Sequence, residues 1–326
     1  MKFRRALASF ILLLALNLLI AGLDVTPTKA DVESEKPTVV CTTNVLGSIV
    51  EEFVGDDVNI VVLVQPGLCP ADYDMKPSDI YAVSNAKILF YHDIPGEFWL
   101  QSLIEAAGNK NLTLVKVPGV YNTPQGAKQC INMVGGNLSK ALSIDFNAKT
   151  EAMLADVDAV TSEIRSEAQN LEVGTVKVIC MQWQKAFVEW VGFNVVATYN
   201  PPETLSAADI TALVDTARRE EAALIIDNLQ ISVEFGAGIA SEVGATHVVL
   251  TNFPGAVPST GNMTEMFRYN AEQLFNGLKT WRSTKAFITE TENLKNQLAI
   301  FQAATSVAVI VVIMEAVLLY LGRKRR

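Results

Sequence analysis

The chain has 326 residues, half of them apolar, and a formal net charge of −9 at pH 7. This length suits two domains rather than one core, and the acidic balance argues against nucleic acid as a partner, because proteins that bind phosphate backbones are normally basic. It holds two histidines and four cysteines without C-x-x-C spacing, which argues against a multi-histidine zinc site or a zinc ribbon.

The first 30 residues have the composition of a secretory signal peptide. Basic residues at the start precede an apolar run at 10–23, and Thr28 and Ala30 supply small residues for cleavage. An uncleaved membrane anchor is the alternative for a run of this length. In both cases the chain is predicted to be exported.

Residues 31–145 are predicted to form an N-terminal α/β lobe, because short apolar runs alternate with helical patterns. Strands are predicted at 37–43, 59–64, 87–91 and 112–116, and helices at 45–54, 78–86, 100–108 and 125–142. Residues 147–171 lack Gly and Pro and have helical apolar spacing, so a long connecting helix is predicted within 146–173.

The α/β alternation restarts after Gly174, which predicts a C-terminal lobe over 174–283. Its strands are predicted at 175–180, 193–198, 222–227 and 246–251, with helices at 184–191, from 201–209 onward, at 232–242 and at 261–280. The fold class is therefore α/β, with two parallel-sheet, Rossmann-like lobes joined by one long helix and a cleft between the carboxyl ends of the strands.

The C-terminal end is predicted to anchor the protein in a membrane. Residues 284–302 suit a helical stalk, 303–321 form an apolar span with one charge at Glu315, and the basic tail 322–326 is predicted to be cytoplasmic. Glu315 either faces a partner helix or lies near enough to the tail to be tolerated. Everything before the span is then extracytoplasmic, where Asn111, Asn137 and Asn262 fit the glycosylation sequon. An anchor of this kind suggests a cell without an outer membrane, such as an archaeon.

Residues 64–79, VQPGLCPADYDMKPSD, resemble a loop of a known family. The frame is similar to G-x-D-P-H-x-Y-E-P-T-P-S-D in the zinc/manganese solute-binding proteins of ABC importers, with Ala71 in place of the histidine. Weaker matches, among them Gly55-Asp56 and Arg268-Tyr269-Asn270, extend the resemblance over about residues 38–282.

The resemblance implies a metal site of three histidines and one acid, but the matching positions hold other residues. The second histidine position falls at Gly119, the third at or beside Met181, and the acid at Thr251 or Asn252. These residues do not support binding of zinc or manganese by imidazole and carboxylate.

Two other kinds of ligand site are considered for the cleft. Cys69, Cys180 and Met181 are a candidate set of sulfur ligands for a soft metal ion, with core packing or a disulfide as the alternatives. A small organic ligand is the second candidate. The candidate ligand-binding residues are Cys69, Asp72, Tyr73, Gln182, Trp183, Asp227 and Asn252.

The sequence therefore predicts an exported, membrane-anchored substrate-binding protein of an ABC importer, with an altered or degenerate ligand site. Its expected partners are a permease in the same membrane and a small ligand or metal ion; no catalytic motif is present, so no enzyme is expected. The alternatives are a cell-surface adhesion or interaction module on the same fold, and a receptor for an organic or corrinoid ligand. The sequence does not identify the ligand.

Overall fold

The computed structural model describes residues 36–324, so the predicted signal peptide at 1–30 lies outside the described residues. The strands are β1 Thr38–Thr43, β2 Asn59–Val64, β3 Ala86–Tyr91, β4 Thr113–Lys116, β5 Lys177–Met181, β6 Asn194–Tyr199, β7 Leu224–Asn228 and β8 Thr246–Leu250. The α-helices are α1 Asn44–Val54, α2 Pro77–Asn85, α3 Leu100–Ala107, α4 Pro124–Leu142, α5 Asn147–Asn170, α6 Lys185–Val191, α7 Ala207–Arg219, α8 Phe235–Val243 and α9 Met263–Lys324.

The strands form two four-stranded parallel sheets with the same order. The N-terminal sheet runs β2-β1-β3-β4 and the C-terminal sheet β6-β5-β7-β8. In each sheet the first strand of the lobe lies inside, with Val39 beside Ile60 and Ile88 in the N-terminal lobe. The predicted α/β fold of two parallel-sheet lobes is confirmed.

One hydrophobic cluster runs through both lobes. It contains Val39 and Cys41 of β1, Val178 and Cys180 of β5, and one face of α5. The α5 side chains in it recur at helical spacing and are Met153, Val157, Val160, Ile164 and Ala168. Because α5 packs into the cores of both lobes, a large hinge opening would expose this shared apolar surface to water.

The last helix, α9, is continuous over 62 residues. Its first turns pack against the C-terminal lobe, where Met266, Phe267 and Leu274 are fully buried. It then continues without interruption through the segments predicted as a final helix, a stalk and an apolar span. The helix is long and apolar enough to cross a membrane. Its most apolar window has a mean hydropathy of 2.1, and no part of that window is buried.

Candidate functional site at the interlobe cleft

The carboxyl ends of the strands in both lobes lead into residues that contact each other directly. We call this region the interlobe seam, and it consists of Asn44, Pro66, Tyr121, Asn122, Trp183, Gln230, Asn252, Phe253 and Pro254. Three side-chain amides donate hydrogen bonds across it, from Asn44 to the Pro254 carbonyl (2.7 Å), from Asn122 to the Trp183 carbonyl (2.7 Å) and from Gln230 to the Pro66 carbonyl (3.0 Å). The lobes are thus joined by uncharged polar groups.

Gln230 is the most connected side chain of the seam. It follows β7 and is held by its backbone N–H, which donates to the Asn228 side-chain oxygen (3.0 Å). Its amide nitrogen also donates to the Thr251 hydroxyl (2.9 Å), and its amide oxygen accepts from the Asn252 backbone N–H (3.1 Å). Every polar atom of this nearly buried amide therefore has a partner within the protein.

An aromatic stack crosses the seam beside these amides. The His92 ring lies 4.9 Å from the Tyr121 ring, and Tyr121 in turn stacks on Phe253 of the C-terminal lobe at 6.2 Å. All three side chains are buried. Apolar and aromatic surface therefore fills the space between the strand ends of the two lobes.

His92 is held by a buried polar network at the end of β3. Its Nε2 shares a 2.9 Å hydrogen bond with the Thr43 hydroxyl, and its backbone N–H donates to the Glu97 carboxylate at 3.1 Å. Glu97 also accepts hydrogen bonds from the Thr42 hydroxyl and the Asp93 N–H. Burial lowers the pKa of His92 to about 4 and raises that of Glu97, so the imidazole is neutral at pH 7.

Gly255 brings the loop after β8 close to the N-terminal lobe. Its φ is +76°, in the left-handed region, and a Cβ there would lie 2.9 Å from the Asn44 amide nitrogen. Glycine is thus required both by the backbone conformation and by the close approach of Asn44. Asn44 is the first residue of α1, and its side chain is directed across the seam.

Two predicted ligand-binding residues belong to the lobe cores instead of the cleft. The Tyr73 hydroxyl donates to Asp79 and its ring lies 4.2 Å from that of Trp99. Asp227 is 1% exposed, and its carboxylate accepts from the Tyr199 hydroxyl and the Gly236 N–H (2.9 Å). The polar atoms of both side chains are thus occupied by partners inside one lobe.

The predicted soft-metal site is not assembled by the fold. Cys180 and Met181 are neighbours in β5, so their side chains point to opposite faces of the sheet and pack into different hydrophobic clusters. Cys69 is nearly buried in the N-terminal lobe, and burial raises the pKa of Cys180 to about 12. The four cysteines, all within residues 36–324, form no disulfide, so Cys180 packs as a small apolar residue.

The remaining candidates lie at or near the cleft. Asn252 is in the seam, and Trp183 contributes its carbonyl to it while its side chain is 44% exposed. Gln182 is exposed and accepts a 2.6 Å hydrogen bond from the Thr198 hydroxyl. Asp72 is exposed on the loop that follows β2.

The positions matching the family's histidines face other constraints. Ala71 is exposed in the turn Pro70–Asp72, which packs on the turn Pro95–Glu97. At Gly119, a Cβ would lie 2.7 Å from the Ile94 side chain, so a larger residue there requires Ile94 to move. Within the described part of the chain, no group of three or more His, Cys, Asp and Glu side chains could hold a metal ion.

Three residues in the seam or packed against it were overlooked by sequence reasoning and share one signal. Asn44, His92 and Phe253 each come within three residues of the carboxyl end of a strand, where α/β folds place ligand-contacting groups. His92 begins the loop after β3 and is 2% exposed. Its buried partners Thr43 and Tyr121 are distant in sequence.

The three sequon asparagines differ in their surroundings. Asn111 is exposed after α3, whereas the Asn137 amide nitrogen donates to the Met133 carbonyl (2.7 Å) inside α4. Asn262 accepts a hydrogen bond from the Glu265 N–H at the start of α9. Asn111 is therefore the most exposed of the three sequon residues.

Solved structures of other proteins share this two-lobe fold. The periplasmic zinc-binding protein TroA of Treponema pallidum matches with a TM-score of 0.66 and 19% identity, covering 74% of this chain and 99% of that one. A zinc-bound deletion variant of ZnuA matches with a TM-score of 0.62 and 21% identity, covering 74% and 97%.

The chain belongs to the family of the periplasmic zinc-uptake complex component A, whose model matches residues 39–277. It is 21% identical over 295 residues to the manganese-binding lipoprotein MntA of Halalkalibacterium halodurans, covering 83% of this chain and 97% of that one. It is 32% identical over 84 residues to a manganese ABC transporter substrate-binding lipoprotein of Streptococcus gordonii, covering 24% and 27%. The resemblance seen in residues 64–79 is confirmed.

Proposed function

We propose that this protein is the membrane-anchored substrate-binding component of an ABC importer of the metal type, with a ligand site that differs from the zinc and manganese sites of its relatives. The receptor role is supported by the family model, which spans both lobes, and by relatives named as substrate-binding components of metal ABC transporters. It is a binding protein and not an enzyme.

The anchor in this proposal is the C-terminal part of α9. The relatives are named lipoproteins, whereas the first cysteine of this chain is Cys41, inside β1. The apolar residues 303–321 would cross the hydrocarbon core, since 19 helical residues extend about 28 Å. The basic tail at 322–326 favours a cytoplasmic C-terminus and an extracytoplasmic receptor body.

The seam is the observation that supports an altered ligand site. Zinc and manganese in proteins are bound by imidazole, carboxylate or thiolate, and the seam offers amides, backbone carbonyls and aromatic rings. Its side-chain amides donate hydrogen bonds to backbone carbonyls across the lobes. A ligand must therefore displace these hydrogen bonds, or bind at the exposed edge near Trp183.

Thermal unfolding of the full chain in detergent tests the altered site. A ligand at a hundred times its dissociation constant raises the free energy of unfolding by about 2.7 kcal/mol, which shifts the midpoint visibly. We expect no shift with Zn²⁺ or Mn²⁺. A shift with either ion that His92→Gln abolishes would contradict the altered site, because His92 packs directly on Tyr121 of the seam. A shift with Cu⁺ that Cys69→Ser abolishes would instead restore the soft-metal hypothesis.

The importer role is tested separately by reconstituting the chain in proteoliposomes with the permease and ATPase from its own membrane. We expect the full chain to stimulate ATP hydrolysis. Folded protein with no effect on the rate would overturn the receptor role, whatever the ligand.

A further inference from the structure

An apolar stripe runs along the stalk part of α9, at residues 284–302. Phe287, Leu294, Leu298 and Phe301 follow each other at spacings of seven, four and three, and are 70%, 59%, 56% and 69% exposed. With Thr291 between the first two, these positions fit a heptad in which 287, 294 and 301 are d and 291 and 298 are a. The stripe lies on one side of the helix and is uncovered by the lobes.

The same heptad register continues into the apolar segment without a break. It places Thr305 and Val312 at a, and Ala308 and Glu315 at d. Small residues such as Thr and Ala let two helix backbones approach closely in a membrane. An ionisable side chain that faces lipid is costly, so a position facing another helix is favourable for Glu315. One register thus accounts for the stalk stripe and for the position of the acid within the apolar segment.

We propose that α9 pairs with α9 of a second copy as a parallel two-stranded coiled coil. The charge pattern indicates that the partner is a second copy of this helix. Glu290 lies at g, and Lys295 lies at e, five residues later. In a parallel pair, a g residue of one helix lies beside the e residue five positions later in the other helix. A symmetric dimer therefore forms this ion pair twice. In an antiparallel pair g faces g and e faces e, which would not bring these two residues together.

The base of the stalk fixes how the paired helices leave the receptor bodies. Lys285 forms a 3.0 Å ion pair with Glu221 of the C-terminal lobe and lies over the Trp281 ring at 4.8 Å. Arg282 donates to the Leu171 carbonyl (2.8 Å) at the end of α5. Pairing of the stalks would therefore also set the distance and orientation of the two bodies. The parallel arrangement rests in part on the proposed membrane anchor; the charge pattern supports it independently.

Disulfide crosslinking of the full chain in lipid nanodiscs tests the pairing. The four native cysteines are at most 6% exposed, so they provide a low background. Leu298→Cys places a thiol at an a position, and Asn296→Cys, the matched control, places one at f on the opposite side of the helix. We expect oxidation to convert most of the Leu298→Cys chain to a covalent dimer and little of the Asn296→Cys chain.

Charge reversal tests the partner and its orientation. Glu290→Lys alone and Lys295→Glu alone should each weaken the dimer at least several-fold in sedimentation experiments in detergent, and the double variant should restore it. A monomeric wild-type mass, equal crosslinking at both positions, or crosslinks to a permease instead of a second copy would overturn the proposal. Each of these results would leave the receptor role, which is measured by ATP hydrolysis, untouched.

Discussion

His92 lies where the N-terminal lobe meets the C-terminal lobe, and its charge state matters for the seam. Its ring contacts Thr43 by a hydrogen bond and Tyr121 by its face, and both of its ring nitrogens are shielded from water. Protonating it would place a cation against the aromatic stack near the Glu97 carboxylate. The buried neutral imidazole therefore couples the seam to pH.

We expect stability to fall in acid because of His92. Its pKa is about 4 in the folded protein and about 6.5 in an unfolded chain, so the unfolded state binds the proton first as the pH falls. The contribution is fully present above pH 6.5 and declines toward pH 4, by at most about 3 kcal/mol. Thermal midpoints at pH 7.5 and pH 5 measure it.

The control for this prediction is His92→Gln, which keeps a hydrogen-bonding side chain without a titrating imidazole. Glu97 acts in the opposite direction, because its raised pKa gives stability that is lost as the pH rises. The difference between wild type and variant isolates His92. The same change in midpoint for both proteins would show that His92 does not determine the acid sensitivity.

Gln230 should be the most sensitive amide of the seam. Gln230→Ala removes its bonds to Pro66, Thr251 and Asn252 and leaves buried polar atoms without partners. We expect a loss of about 2–4 kcal/mol in the free energy of unfolding, since an unsatisfied buried group costs about 1–3 kcal/mol. Gln182→Ala is the control, because that exposed side chain should change stability by about 0.5 kcal/mol or less. Similar losses for both would contradict a special role for the seam.

At the scale of elements, neighbouring glycines in α4 distinguish packing from helix propensity. A Cβ at Gly135 would lie 2.7 Å from the Phe53 ring and 2.8 Å from the Thr150 hydroxyl, whereas one at Gly136 would meet nothing within 4 Å. Gly135→Ala should destabilise by about 1–3 kcal/mol through overpacking. Gly136→Ala should stabilise by up to about 1 kcal/mol. Denaturant unfolding of both variants measures these shifts, and equal signs would contradict the packing argument.

Most elements could be predicted from the sequence because their apolar residues recur at clear helix or strand spacing and because Gly, Pro or polar residues mark their ends. The helix predicted at 147–171 is observed as Asn147–Asn170, and the strand predicted at 59–64 as Asn59–Val64. The final helix, predicted at 261–280, extends through the stalk to Lys324, because no glycine or proline interrupts 278–321. Local signals place elements well when they need no distant partner.

The site could be predicted less well because it depends on which face each side chain takes and on what it meets. Cys180 and Met181 looked equivalent at the end of a strand, but their alternation sends them into different cores. Asp227 looked like a cleft acid, yet Tyr199, 28 positions away, supplies its hydrogen bond. The sequence alone shows that Ala71 and Gly119 occupy positions where the family has histidine. The side-chain amides that join the lobes could be identified only from the fold.

At the scale of the whole molecule, the proposed topology predicts which parts of α9 are accessible from outside the cell. Asn293→Cys lies in the stalk and should react with a membrane-impermeant maleimide on intact cells, whereas Lys324→Cys, within the basic tail, should react only after permeabilisation. The native cysteines are at most 6% exposed, so labelling of the wild type should be weak. Labelling of Lys324→Cys on intact cells would contradict the proposed topology. The charged tail cannot lie outside the cell if residues 303–321 cross the membrane once and the lobes are extracytoplasmic.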